Sequence, residues 1–249
     1  PNPRKSPAGC GLTPVDAAST ALEKPFAQFP CLPYDFDPNP TGRGLNLMQN
    51  GHVAKAASAP SEEDALRADL YGLLATLLSG PPARDVIASA AALTGDDSDL
   101  GRAVTQLASV AATSTPADLE REYNALFIGL GRGELLPYGS FYLTGFLHEK
   151  PLALLREHMK MLGIARNEDV KEPEDHIATL CEMMAGLIRG AFGAPLSPKD
   201  QEAFFNTHVA PWAGHFFTDL EKASGSVFYA PVGKIGRAFM QIEIEACRM

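Results

Sequence analysis

Five consecutive residues, Glu172-Pro173-Glu174-Asp175-His176, set three carboxylates and an imidazole side by side, just ahead of an apolar run made of Ile177, Leu180, Cys181, Met184, Leu187 and Ile188. Pro is favoured at the first helical position, where its missing N–H costs nothing, and the helix dipole favours carboxylates in the first turn. The spacing therefore predicts a helix that starts at Pro173. At about 100° per residue the apolar run falls on one arc, with His176 at its edge and half in the core. Asp175, Thr179 and Glu182 lie on the opposite side, and Asp175 is expected in water. Such a string could act as an acid–base pair or receive a cationic group. A plainer alternative is that Glu174 and Asp175 complement the dipole while His176 makes a local hydrogen bond.

Other chemistry-bearing residues are less well placed. Ser140 and Cys181 are the candidate nucleophiles, yet no GxSxG elbow surrounds Ser140, and Cys181 lies five residues past His176 on another part of the helix. His208 and His215 are seven apart and return to nearly the same helical face, but Pro211 breaks the helix between them. Phe204, Phe205, Trp212, Phe216 and Phe217 around them read as an aromatic core cluster. No catalytic constellation and no metal site follow. The glycines of Gly129-Leu130-Gly131-Arg132-Gly133 mimic part of a dinucleotide fingerprint, but that motif works between a strand and a helix N-terminus, and the element before it here is helical. No cofactor is assigned. The loop continuing to Tyr142 reads as a connection that brings Pro137, Tyr138 and Tyr142 to a surface, where aromatics with a polar group can grip an apolar peptide.

The elements that must position these groups are helices. Ser61 and Asp64 make a capping-box-like start, and Leu66, Leu70, Leu73, Leu74, Leu77 and Leu78 recur at helical spacing until Gly80-Pro81-Pro82. Thr115-Pro116-Ala117-Asp118 and Ser197-Pro198-Lys199-Asp200 open helices with the same device as Glu172-Pro173-Glu174-Asp175. Leu152, Leu155, Met159 and Leu162 mark a helix before Gly163; Val232, Ile235, Phe239 and Ile242 mark the last one, and a weaker helix covers Leu100 to Ala111. No alternating strand pattern emerges, so the fold class is all-α: a single globular helical-bundle domain of eight or more helices over residues 61–249. With 45% hydrophobic residues such a body can bury a sizeable core.

Residues 1–60 differ. They hold ten of the 20 prolines and no period, and read as a Pro-rich irregular extension or linker, with Phe26, Phe29, Tyr34 and Phe36 able to dock as a strap and Met48 a candidate natural start. The four cysteines, Cys10, Cys31, Cys181 and Cys247, show no CxxC or CxxH spacing and read as reduced thiols. No apolar run is long enough to span a membrane, and no basic start precedes an apolar core, so membrane insertion and export are not indicated and the cytoplasm is the expected location. The formal charge of −9 is concentrated beyond residue 60, which carries 16 bases against 26 acids. That sign disfavours nucleic acid and favours a basic partner through long-range steering.

Four strings in order, Tyr123-Asn124-Ala125-Leu126-Phe127-Ile128-Gly129, Leu136-Pro137-Tyr138-Gly139-Ser140, Glu172-Pro173-Glu174-Asp175-His176, and His208-Val209-Ala210-Pro211-Trp212 with Phe228-Tyr229 beyond, resemble the TorD/DmsD family of molybdoenzyme maturation chaperones. The resemblance runs from about Ser61 to near Ala246. It implies a cytoplasmic, non-enzymatic chaperone that binds the twin-arginine signal peptide, or the apo form, of an oxidoreductase of the DMSO-reductase class and delays export until the molybdopterin cofactor is inserted. Carried over residue by residue, the peptide-binding positions fall on Tyr123, Leu126, Phe127, Pro137, Tyr138, Gly139, Asp175 and His176; Ser140, Tyr142, Glu172 and Glu174 complete the candidate set. An acidic helix start would face the basic end of the peptide while Tyr and Phe groups receive its apolar stretch.

Two departures stand out. Residues 1–60 match nothing in the family pattern, and the loop reads Pro-Tyr-Gly-Ser where other members often carry Trp, or Glu in place of the Gly. The expected partner is the apo catalytic subunit or its leader, the protein being a monomer or homodimer without a cofactor of its own. Two alternatives come from other classes: a nucleotide-dependent enzyme using Gly129 to Gly133 with Asp175 and His176, and an acidic helical scaffold that recruits a basic partner by charge.

Overall fold

A computed structural model describes residues 60–129, 132–166 and 171–248. The expectations for residues 1–59, with Cys10, Cys31, the aromatic strap and Met48, and for Leu130 and Gly131, lie outside the described residues.

The first helix, α1 (Glu62–Leu78), opens on Ser61, whose Oγ accepts from the Asp64 N–H at 3.0 Å. Its apolar residues Leu73, Leu74 and Leu77 are fully buried. α2 (Arg84–Ala91) and α3 (Asp99–Ala111) follow, then α4 (Pro116–Tyr123), which runs on through a π-helical turn at Asn124–Ile128. Next come the short α5 (Gly139–Thr144) and α6 (Lys150–Met161). The last four are α7 (Ile177–Arg189), α8 (Pro198–His208), α9 (Ala213–Lys222) and α10 (Tyr229–Ala246). Among the described residues the architecture is all-helical, as the periodicity predicts. Thr115 and Ser197 cap as the sequence suggests, each accepting a backbone N–H of the first turn it precedes, and Ser98, for which no cap was expected, does the same for α3.

The core is built on α1 against α7, with α10 packed on α9 and α3, and α2 closing on α3. α7 is buried on every side from Ile177 to Ile188, so it is the central helix of the body. This corrects the expected wet face: Thr179 and Glu182 are inside, the latter only 6% exposed. Ion pairs rather than apolar contacts alone tie the elements together. Glu243 of α10, itself buried, receives Arg67 Nε at 2.7 Å, Arg67 Nη2 at 2.9 Å and the Tyr71 hydroxyl at 2.9 Å from α1. Asp69 of α1 takes Arg189 of α7 at 2.5 Å.

Two helix starts depart from the local rule. Pro173 does not begin a helix: residues 172–175 form a turn in which the His176 N–H reaches the Pro173 carbonyl at 3.1 Å, and α7 starts at Ile177 with His176 as its N-cap. The backbone groups that a first turn at Pro173 would need are used elsewhere. The Asp175 carbonyl accepts from the Gly139 N–H and the Ile177 N–H donates to the Pro137 carbonyl, both at 2.9 Å, a one-residue antiparallel bridge between Tyr138 and His176. The second departure is α10, which begins several residues before the expected run. The Glu122 carboxylate, delivered by α4, accepts the N–H groups of Val227, Phe228 and Tyr229 at 2.8, 3.2 and 2.9 Å. It thereby serves as a cap supplied from outside the helix.

Glu122→Ala removes that cap and is expected to cost about 2 kcal/mol of folding stability. Urea denaturation of both proteins measures it, and helix content in the folded baseline should stay unchanged.

Three buried titratable groups set the pH profile. Burial pushes His176 down to about 4 and, with His158 beside it, His208 down to about 4. An unfolded chain protonates such imidazoles near 6.5, so between pH 6.5 and 4 the unfolded state holds more protons and stability falls as pH falls. Glu182 has the opposite sign. Burial lifts it to about 8 from an ordinary 4.5, so the folded state holds the extra proton and stability falls as pH rises through that range. Below 6.5 two imidazoles outweigh one carboxyl, and as their protons leave the unfolded chain above it Glu182 comes to dominate, which puts the optimum from these groups near pH 6.5. Glu182→Gln should abolish the decline between pH 6.5 and 8, which stays well below about 1.4 kcal/mol per pH unit, in urea midpoints measured at pH 5, 6.5 and 8.

Candidate functional site

The second and third sequence strings meet. The bridge between Tyr138 and His176 lays Pro137-Tyr138-Gly139 along Asp175-His176-Ile177. Asp175 then completes the join with its side chain: Oδ2 accepts from the Ser140 N–H at 2.7 Å and from the Ser140 hydroxyl. Ser140 sits in the first turn of α5, so a carboxylate 35 residues away in sequence serves as that helix's cap. This explains why α5 exists inside a segment expected to be loop as far as Tyr142. It also corrects the expectation that Asp175 is wet, since it is 4% exposed. Its other oxygen, Oδ1, is buried and finds no hydrogen-bond partner among the described residues.

His176 turns the other way. Its Nδ1 accepts from the Ala178 N–H at 3.1 Å, capping α7, and its ring meets Tyr138 edge-on at 5.2 Å. It is buried rather than half in the core. Asp175 and His176 thus serve different partners, and the Ser140 hydroxyl pairs with the Asp175 carboxylate, which also caps α5, rather than with the imidazole; the Cys181 thiol, fully buried, is pushed up by desolvation. Glu174 is buried as well, held by Arg156 through Nε at 3.0 Å and Nη2 at 2.8 Å. Of the three motif carboxylates only Glu172 is exposed, where it accepts from the Tyr138 hydroxyl. That bond and partial burial push the Tyr138 phenol above its ordinary range.

Asp175 lines a cavity of about 430 Å³ whose wall is mainly apolar, from Leu143 of α5, Pro151 and Leu154 of α6, Leu180 of α7 and Trp212, with Lys150, Thr207 and His208 among its polar members. Trp212 is fixed by donating its indole N–H to the His208 carbonyl at 2.8 Å. It lies so close to Gly139 that a Cβ there would sit 3.0 Å from the indole nitrogen, so the glycine of the Pro-Tyr-Gly-Ser string is needed for this approach. Tyr142 stacks between Trp212 and Phe216 at 5.4 and 6.0 Å and donates its hydroxyl to Asp219 at 3.0 Å. His208 is buried against His158, their ring nitrogens 2.9 Å apart, whereas His215 is exposed. The two histidines spaced like metal ligands therefore point to different surroundings, and no group of three or more metal-ligating side chains occurs among the described residues.

Tyr123, Leu126 and Phe127 are not in the cavity wall. They are buried, with Tyr123 and Phe127 packed on each other and on Tyr229 at centroid distances of 4.9 to 6.0 Å. On either side of the glycine segment, Gly129 takes φ 63°, the Leu135 N–H bonds the Leu126 carbonyl at 2.8 Å, and Glu134 accepts from the Ser224 N–H at 2.8 Å. Leu143, Pro151 and Leu154 were not singled out by sequence reasoning. Leu154 carried a usable signal, an apolar residue off the buried Leu152, Leu155 and Met159 face of α6.

No helix among the described residues is long and apolar enough to cross a membrane. The family model described as nitrate reductase delta subunit matches residues 93–218, half of the chain. The chaperone protein TorD of Vibrio atlanticus is 27% identical over 136 residues, 51% of this chain and 63% of that protein. A protein of Haemophilus influenzae described as a Tat proofreading chaperone, DmsD, is 32% identical over 114 residues, 45% of this chain and 53% of its own length. The chain thus spans only about three fifths or less of the length of these curated relatives. A solved structure described as a redox enzyme maturation protein from Archaeoglobus fulgidus is 22% identical, covering 79% of this chain and 98% of its own, with a TM-score of 0.48. On the family match, the chain belongs to the nitrate reductase delta subunit family, with the TorD and DmsD chaperones among its relatives.

Proposed function

We propose that the protein is a cytoplasmic, non-enzymatic maturation chaperone that holds the twin-arginine leader, or the apo form, of a molybdopterin-containing oxidoreductase until its cofactor is in place. One observation carries the reading: Asp175, whose Oδ1 is buried and has no hydrogen-bond partner among the described residues, lines a mainly apolar cavity of peptide-side-chain dimensions. A buried acceptor left unpaired is costly, and a ligand donor would relieve that cost. A guanidinium or backbone N–H next to an apolar residue fits both halves of the cavity at once. A leader with a basic end and an apolar stretch supplies that combination, and the names of the relatives point to the same class of ligand.

In this reading each candidate residue has a task. Asp175 receives the donor and Glu172, exposed at the rim, meets the basic end. Gly139 lies in the cavity wall, Pro137, Tyr138 and Ser140 belong to the segment around it that Asp175 fixes, and Tyr142 braces Trp212. Glu174, through Arg156, and His176, through the α7 cap, hold the string in register. Tyr123, Leu126 and Phe127 back the site from the core. The acidic body adds long-range attraction for a basic ligand.

Calorimetric titration of the full chain with synthetic leaders of the source organism's molybdoenzymes tests this at low and high salt. Micromolar or tighter binding to one leader, weakened by salt, is expected, and Asp175→Asn should reduce it tenfold or more while the far-ultraviolet spectrum stays the same. Binding that survives replacement of the apolar stretch by Ser and Gly would instead indicate a charge-driven scaffold. Turnover of ATP or GTP by the pure protein would overturn the non-enzymatic reading.

A further inference from the structure

Of the eight large apolar side chains that are exposed among the described residues, four fall within twelve residues at the junction of α5 and α6: Leu143, Phe146, Leu147 and Leu154. Phe146 is the most open of the four at 70%. The turn that carries it is built rather than loose. Gly145 takes φ 83° and His148 φ 60°, the sole non-glycine positive φ among the described residues. Such a conformation is unfavourable for a side-chain-bearing residue and is retained only where its surroundings impose it. The Thr144 hydroxyl donates to the Ser140 carbonyl at 2.8 Å and accepts from the Phe146 N–H at 3.2 Å, and the Gly145 N–H bonds the Phe141 carbonyl at 2.8 Å. Phe146 and Leu147 are thus held outward by the same short helix that Asp175 caps.

Leu143 and Leu154 also line the cavity, so cavity and patch form one continuous apolar surface. The cavity has the volume of a small-molecule pocket, too small for a polypeptide's apolar stretch, which needs a longer track. Glu149 and Lys150 beside the patch carry opposite charges, Lys150 also lining the cavity, so this end has no acidic excess and selects by apolarity, whereas Glu172 and Asp175 mark the acidic end. Four part-exposed side chains fall short of the roughly 800 Å² per partner that a stable dimer buries, which favours a peptide over a second copy as the occupant.

Resting on the leader-binding reading above, we infer that Phe146 and Leu147, with Leu143 and Leu154, form the outer half of the binding surface and receive the leader's apolar stretch where it emerges from the cavity. The two ends then fix the peptide's direction, basic segment at Glu172 and Asp175, apolar segment over the α5–α6 turn.

The test uses the full chain, wild type and the double variant Phe146→Ser, Leu147→Ser, titrated with a complete leader and with a short peptide that stops two residues into the apolar stretch. The variant should bind the complete leader about tenfold or more weakly, the short peptide within twofold of wild type, and unfold at the same urea midpoint. Asp175→Asn should weaken both peptides. Unchanged affinity of the double variant for the complete leader, or equal losses on both peptides, would overturn the inference while leaving the leader reading intact. Wild-type protein that binds neither peptide would overturn the leader reading and this extension together. A wild-type dimer in sedimentation that the double variant dissolves, with leader affinity unchanged, would assign the patch to a second copy and equally overturn it.

Discussion

Asp175 gives one carboxylate oxygen to the first turn of α5 and its carbonyl to the Gly139 N–H, while the residues on either side of that junction close a bridge between Tyr138 and His176. Two helices start there: α5 where the carboxylate receives Ser140, and α7 one residue after His176. The cavity lies between the elements these starts orient, so its shape depends on a single pin. Burying a carboxylate costs several kcal/mol unless hydrogen bonds replace its water. Here they replace it on one oxygen only. A half-satisfied acid in the one place that sets the geometry of a pocket is what a structural salt bridge is not, and Glu174 beside it shows the contrast: one of its carboxylate oxygens receives two N–H groups of Arg156, so its charge is paired.

The starts of helices that open on their own cap could be read from sequence, and the starts of those capped from afar could not. Ser61, Thr115 and Ser197 lie next to the turns they satisfy, so residue type and spacing suffice. Glu122 and Asp175 cap α10 and α5 from 105 and 35 residues away, and nothing in the local string distinguishes them from surface acids. The same blindness explains Pro173. Its neighbours have the composition of a first turn, but the backbone groups that turn would need are committed to Pro137 and Gly139, a tertiary fact. The buried Thr179 and Glu182 follow from the same cause, since an amphipathic pattern assumes one wet face and a central helix has none.

The strings nominated for function were legible as a group, and their juxtaposition was not. Leu136 to Ser140 and Glu172 to His176 do come together, while Tyr123, Leu126 and Phe127 sit behind the site in an aromatic cluster with Tyr229. Local periodicity sorts residues into inside and outside but does not say which inside faces a cavity. Trp212, assigned to the core, is both: fully buried and part of the cavity wall. Gly139 gained its meaning only from that indole, whose nitrogen leaves no room for a Cβ.

The acidic balance of the body divides into charges that act at different ranges. Glu243, Asp69 and Glu174 are buried against arginines, and at any distance such pairs look nearly neutral. The field that reaches a ligand in solution comes from exposed acids such as Glu172, and salt screens it over about 8–10 Å. On the proposed reading Asp175 acts only within hydrogen-bond reach, in a mainly apolar wall that also contains Lys150, and its burial weakens the screening by salt. On the proposed leader-binding reading, encounter and retention therefore fall to different carboxylates of one five-residue string. Raising the ionic strength should act on how fast a basic peptide arrives far more than on how long it stays, because the group that would hold it is buried and the group that attracts it is not.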